Sequence, residues 1–168
     1  MRKANMEDLP EVQSLYRDVV KEMHRNGITI WNHQYPNDYL AQDIEKGGLY
    51  LCYNEKQELY GAFSLSIGYT AAAPVSWENP DAVAVYLSRF VVNPVYKRQG
   101  CAKLLLEHAK EEALALGGEY LRLYAVNSNT PALNMYHKYG FIQVEGTSDT
   151  DIVKGSTLTE YGLEVKLG

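Results

Sequence analysis

Hydrophobic and polar positions change their period several times along this chain, and each change marks an element. Helical spacing opened by Glu7 or Asp8 predicts a helix to about His24, and a shorter helix follows Pro36, near Tyr39 to Glu45. Leu49 to Tyr53 reads as a strand, closed by a turn at Asn54-Glu55-Lys56-Gln57. Leu59, Gly61, Phe63, Leu65 and Ile67 then alternate with Tyr60, Ala62, Ser64 and Ser66, which predicts a half-buried antiparallel strand. A loop carrying Pro74, Trp77 and Pro80 leads to a long strand from Ala82 to Val92.

Helical spacing returns at Ala102, Leu105, Leu106, Ala109, Ala113 and Leu116, and Gly117-Gly118 supplies the stop. A strand from Tyr120 to Val126 follows. Next comes a short helix with Thr130 at its N-cap and Pro131 at its first position. Gly140 suits the left-handed C-terminal site, and Phe141 closes the apolar contact beyond it. On that helix Ala132, Met135, Tyr136 and Tyr139 are expected to share one face, with the Tyr136 hydroxyl at its rim. Terminal strands are predicted near Phe141 to Glu145 and Leu158 to Leu167. Two strands flanking a crossover helix make a parallel unit, so the fold class is mixed α/β.

The 168 residues, 46% of them hydrophobic, suit one domain over residues 1–168. A net charge of -5 provides no general basic field, which argues against a nucleic-acid partner. The cysteines, Cys52 and Cys101, fit neither a disulfide framework nor a zinc site, and no metal is expected. No signal sequence, spanning segment or lipidation motif is visible, so the expected location is cytoplasmic, without a membrane partner.

Chemistry concentrates where the long strand turns into the next helix, at Val92-Asn93-Pro94-Val95-Tyr96-Lys97-Arg98-Gln99-Gly100-Cys101-Ala102-Lys103. A helix start aims unpaired amides and the positive end of its dipole at one point, and cations stand beside it: an anion cradle, for phosphate. Gly100 is followed by Cys101-Ala102-Lys103, not by the Lys-Ser/Thr of a nucleotide-hydrolase loop, and a dinucleotide fold would need more glycines.

What remains resembles the acyl-CoA pyrophosphate loop of the GNAT superfamily of N-acetyltransferases, Arg/Gln-x-x-Gly-x-Gly/Ala. Lys97-Arg98-Gln99-Gly100-Cys101-Ala102 departs from it only at Lys97, which offers donors but no planar fork. Asn129-Thr130-Pro131-Ala132-Leu133-Asn134-Met135-Tyr136, with Gly140-Phe141, resembles the family's later motif. Gly27 to Pro36, with Trp31, His33, Tyr35 and Pro36, is similar to a Trp-x-x-x-Tyr-Pro subgroup. The stub Met1-Arg2-Lys3-Ala4 stands where the family usually has its first strand, so a short sheet edge is expected.

The resemblance implies a mostly antiparallel sheet with a central splayed parallel strand pair, flanking helices and acetyl-CoA as cosubstrate. Phe90, Val91 and Val92 would orient the pantetheine arm through their backbones. Lys97 to Lys103 would hold the pyrophosphate, with Asn129 helping to hold the cofactor. Tyr136 would act as general acid toward the departing thiolate. The strand Tyr86-Leu87-Ser88-Arg89-Phe90 lacks the carboxylate that many members place there, so the base is sought elsewhere. Glu78 or Asp81 could reach the site through water, and Asp149, Asp151 or Glu160 could line it from the terminal strands. Trp31 and Tyr35, with His33 and Tyr39, are candidates for the acceptor wall. The expected activity is acetyl transfer to an amine of a small molecule, amino acid or peptide. The alternative is a catalytically silent acyl-CoA sensor of the same fold. A homodimer is the assembly that fold analogy suggests.

Overall fold

The computed structural model describes residues 1–68, 74–153 and 155–168, with the side chains of 152 and 153 left aside. Its described residues form two compact units, 1–65 with 89–109 and 66–88 with 110–168.

In the first unit, strand β1 (Arg2–Lys3) pairs antiparallel with β2 (Leu49–Tyr53), and β2 with β3 (Leu59–Gly68). The first strand is indeed a two-residue edge. Helix α1 (Leu9–Arg25) is preceded by a 3-10 turn at Met6–Asp8. Asn5 caps that turn and Asp8 returns the bond, a reciprocal box that opens the helix where the sequence placed it. Helix α2 (Asn37–Glu45) follows. Val12, Leu15 and Tyr16 of α1 and Leu40 and Ile44 of α2 pack with Leu49, Leu51 and Ala62 into one core.

The alternation in β3 predicted one buried face, but Leu59 through Leu65 are all buried. On the apolar face a Cβ on Gly61 would lie 2.9 Å from Leu105 Cδ2 and 2.8 Å from the Val91 carbonyl, and Phe63 stacks on Tyr50 at 5.3 Å. The face expected to be polar is covered too: Ala62 joins the core of α1 and α2, and the Ser64 hydroxyl donates to Asp43 at 2.7 Å. A strand covered by helices on both faces loses its polar side, which a period-2 pattern cannot anticipate.

Strand β5 (Ala84–Val92) and helix α3 (Cys101–Ala115) each run from one unit into the other. In the second unit, β5 pairs in parallel with β6 (Tyr120–Val126) at Ala84↔Tyr120, Val85↔Leu121 and Tyr86↔Arg122. Pairing stops there, while β6 continues beside β8 (Ser156–Lys166) as far as Val126↔Glu160. Strand β7 (Ile142–Val153) pairs antiparallel with β8, and a short β4 (Val75–Ser76) lies on β7 within the stretch expected to be a loop. The terminal hairpin is therefore longer than predicted. The sheet is mixed and mostly antiparallel, with one parallel pair and flanking helices, as expected.

Helix α4 (Thr130–Lys138) starts one residue earlier than predicted. Asn129, not Thr130, is the N-cap, its side chain accepting from the Ala132 amide at 3.4 Å and its carbonyl from Leu133 at 3.0 Å. Thr130 thereby becomes the first helical residue and Pro131 the second, both tolerant of helical geometry there. The C-terminal end is as predicted. Gly140 has φ +91, and the Phe141 amide donates to the Tyr136 carbonyl at 3.0 Å.

Candidate active site

The strand residues Phe90, Val91 and Val92 lead into the cradle within the first unit. Val91 is buried, Phe90 and Val92 are half-buried, and the Asn93 amide donates to the Tyr60 carbonyl at 2.8 Å. Just before them Arg89 takes φ +50, a left-handed kink inside a strand that costs about 1–3 kcal/mol for a non-glycine residue. Several contacts hold it. Tyr16 Oη donates to the Arg89 carbonyl at 2.5 Å, the guanidinium sits 3.1 Å from Asp43, and it lies 5.9 Å and 5.5 Å from the ring centroids of Tyr35 and Tyr39. A left-handed residue inside a strand bends it locally.

Those contacts also describe the predicted acceptor wall. Trp31, Tyr35 and Tyr39 follow one another edge to face, with Trp31 6.4 Å from Tyr16 and 5.8 Å from Tyr35. A cation of the chain itself, Arg89, lies over two of these rings. His33 is exposed.

The cradle follows a 3-10 turn at Pro94–Tyr96, capped by the Asn93 side chain. Arg98 has φ +61 and Gly100 φ +79, so the chain twists through left-handed geometry twice before α3 begins. The amides of Gln99, Gly100, Cys101 and Ala102 make no hydrogen bond to another described residue, whereas Lys103 and Leu104 already donate to the Gly100 carbonyl. A row of free amides at the start of a 15-residue helix is a nest for an anion.

The cations beside it differ in availability. Lys97 lies 3.2 Å from Glu22 of α1, and that hydrogen bond holds the Glu22 carboxyl below its ordinary range. Lys103 is 3.6 Å from Glu107 one turn on. Arg98 is exposed and has no ion-pair partner among the described residues. The Gln99 side chain donates to the Val95 carbonyl at 3.3 Å, which braces the loop.

In the second unit Tyr136 is 8% exposed and its ring meets Phe141 edge to face at 5.4 Å. The expectation of a packed aromatic holds, although Leu133 and not Met135 shares its burial. Burial pushes the phenol well above its ordinary pKa, so Tyr136 keeps its proton at neutral pH. Asn129 spends its side-chain oxygen on the helix cap.

Glu78 is exposed, and its carboxylate accepts from the Tyr120 hydroxyl at 3.2 Å while its amide donates to Glu164 at 2.7 Å. Glu164 in turn pairs with Arg122 at 2.9 Å, with both side chains almost fully buried. Arg122 also donates to the Asn79 carbonyl at 2.6 Å and lies 4.7 Å from the Trp77 ring centroid.

Sequence reasoning missed this group of Arg122, Glu164, Trp77, Tyr86 and Tyr124. The available signal was strand phase: Tyr86, Arg122 and Tyr124 occupy same-face positions on the two strands that flank the crossover helix. Glu160 was one acid among several in the sequence, and the structure separates it. Burial pushes its carboxyl up to about 7. Asp149 and Asp151 instead accept from Thr159 and Thr157 at 2.8 Å on the exposed hairpin.

Among the described residues no group of His, Cys, Asp and Glu is placed to hold a metal ion, and no helix is long and apolar enough to cross a membrane.

The family model described as an acetyltransferase (GNAT) domain matches residues 19–165. Among solved structures, a GNAT-family acetyltransferase from Streptococcus agalactiae aligns with a TM-score of 0.81 at 16% identity, over 99% of this chain and 94% of that one. A Salmonella typhimurium protein described as an acetyltransferase, solved with its cofactor acetyl-CoA, aligns at 0.68 and 20% identity over 99% and 92%. An N-acetyltransferase of Thermoplasma acidophilum, in complex with coenzyme A, aligns at 0.67 and 22% identity over 98% and 96%. No curated protein sequence matches the chain significantly.

Proposed function

The chain belongs to the GNAT acetyltransferase family, and from that premise we propose that it carries an acetyl group from acetyl-CoA directly to the amine of a small molecule, amino acid or peptide. The observation that carries this reading is the row of amides from Gln99 to Ala102, beside Arg98, that find no partner among the described residues. A pyrophosphate supplies several acceptor oxygens and negative charge, and the cradle supplies amides, a helix dipole and a guanidinium in the same place. The residues present therefore fit the cosubstrate.

When bound, acetyl-CoA supplies an activated thioester carbonyl. The backbones of Phe90, Val91 and Val92 orient the pantetheine arm, with an amide near Val92 polarising the acyl oxygen. Lys97, Gln99, Cys101, Ala102 and Lys103 line the pyrophosphate with Arg98 and Gly100, and the cysteine contributes its amide rather than its thiol. Asn129 fixes the first turn of α4, and so the position of Tyr136. Tyr136 gives its proton to the departing sulfur, since a free thiol has a pKa of roughly 8.5 and leaves more readily protonated.

Reversing the charge at Arg98 tests the reading. Arg98→Glu is expected to weaken acetyl-CoA binding by about tenfold or more, read by calorimetric titration, because a carboxylate then faces the pyrophosphate. Unchanged affinity would remove the cradle from the account.

A further inference from the structure

One face of the second unit's sheet carries a cluster of aromatic and ionisable groups outside the cradle. Antiparallel pairing places Arg122 opposite Glu164, Tyr124 opposite Gly162 and Val126 opposite Glu160, so these side chains rise from the same face. Gly162 leaves room for an indole: a Cβ there would lie 3.0 Å from the far ring edge of Trp77. Gly68 does the same for Tyr86, whose ring occupies the place a side chain would need. The result is an aromatic wall, with Trp77 5.6 Å from Tyr124 and 6.1 Å from Tyr86, both edge to face, and Tyr86 stacked on Tyr124 at 6.4 Å.

Two polar groups on this face are left unused by the fold. The Trp77 side chain is buried, at 7% exposure, and its indole N–H finds no acceptor among the described residues. The carboxyl of Glu160 is half-buried and has no hydrogen-bond or ion-pair partner among them. Its neighbours explain why. Strand β6 presents Val126 and Tyr124, and β7 presents Ser148, opposite Glu160. Arg122 is committed to Glu164 and Asn79, and Glu78 is held by Tyr120. No counter-charge among the described residues reaches Glu160, and it adds to the burial and the neighbouring Tyr86 that raise the Tyr124 phenol.

We propose that this wall is the acceptor site, that it takes a cationic amine without a carboxylate beside its nitrogen, and that Glu160 is the base that removes the ammonium proton. The proposal rests on the acetyltransferase reading and deepens it. Aromatic rings attract ammonium groups. An alkylammonium has a pKa of roughly 10 and must lose a proton before it attacks, so a carboxylate titrating near neutrality is suited to take it. Arg122, the cation over Trp77, is spent on Glu164, so an acceptor's own carboxylate would meet Glu160 without that guanidinium to balance it. In the reaction Glu160 takes one proton from R–NH3+, the N–C bond forms and the C–S bond breaks. Sulfur takes the Tyr136 proton, and the second proton shed by nitrogen restores Tyr136 through solvent. Glu160 releases its own proton to water.

The test compares thiol release from acetyl-CoA with phenethylamine and with phenylalanine, which differ in the carboxylate, over pH 5.5 to about 9. The expected result is a kcat/KM at least about tenfold higher for phenethylamine, rising with pH through a limb near 7. Glu160→Gln should lower it about a hundredfold and abolish that limb, with acetyl-CoA affinity retained. Glu160→Asp, which keeps the charge, should restore part of the rate and the limb. A limb that persists in Glu160→Gln, one that vanishes in Glu78→Gln instead, or preference for phenylalanine would overturn the proposal. Failure of the wild-type protein to bind acetyl-CoA would instead overturn the acetyltransferase reading beneath it.

Discussion

At the scale of single residues, the chemistry depends on which polar groups are buried and which of those are paired. Tyr136 illustrates the first point. Its hydroxyl is the only atom that Tyr136→Phe removes, and the ring contact with Phe141 survives. The substitution should therefore lower kcat about a hundredfold while the Kd for acetyl-CoA stays within about twofold. Equal losses in both, or a collapse of Tm, would show that the tyrosine serves packing alone. Glu160 illustrates the second point. In the sequence it is indistinguishable from Glu78, Asp149 or Asp151, because a letter code carries neither burial nor partners. Among the described residues the structure gives each of the others a hydroxyl donor and leaves Glu160 with none. Asn129 was legible as a residue of the α4 motif, but not as its cap, since Asn and Thr are both good caps and adjacent.

At the scale of elements, periodicity located every long helix and strand, because a one-sided hydrophobic face leaves a clear spacing. It failed in characteristic places. Strand β3 is covered on both faces, so its alternation of residue types no longer reports exposure. Strand β4, of two residues, is too short to have a period and exists through its pairing with β7. The hairpin of β7 and β8 extends through exposed polar residues whose strand form depends on each other. The close approach of α3 to β3 gives a stability prediction. A Cβ at Gly61 meets the Val91 carbonyl at 2.8 Å, and backbone cannot swing aside as a side chain could. Gly61→Ala should cost about 1–3 kcal/mol, read as a lower urea midpoint at unchanged m-value. An equally stable variant would mean that α3 packs less tightly on this strand than the structure shows.

At the scale of the whole molecule, a chain of net charge -5 gathers a few local cations and a set of backbone amides at the cradle proposed for a highly anionic cosubstrate. Composition alone argues against a nucleic-acid surface, and the order and spacing of two motifs point to the family whose model the chain matches. The acceptor was the part least legible. The wall proposed for it draws on Trp77 from a proline-rich loop, Tyr86 and Tyr124 from strands on either side of α3, and Glu160 from the last strand, and only folding brings them to one face. The most direct test of the account is calorimetric titration with acetyl-CoA, followed in the same sample by thiol release on adding a primary amine. The account predicts saturable binding that Arg98→Glu weakens, with thiol released only when the amine is present. Absence of binding, or a thiol release that is the same without an amine, would contradict it.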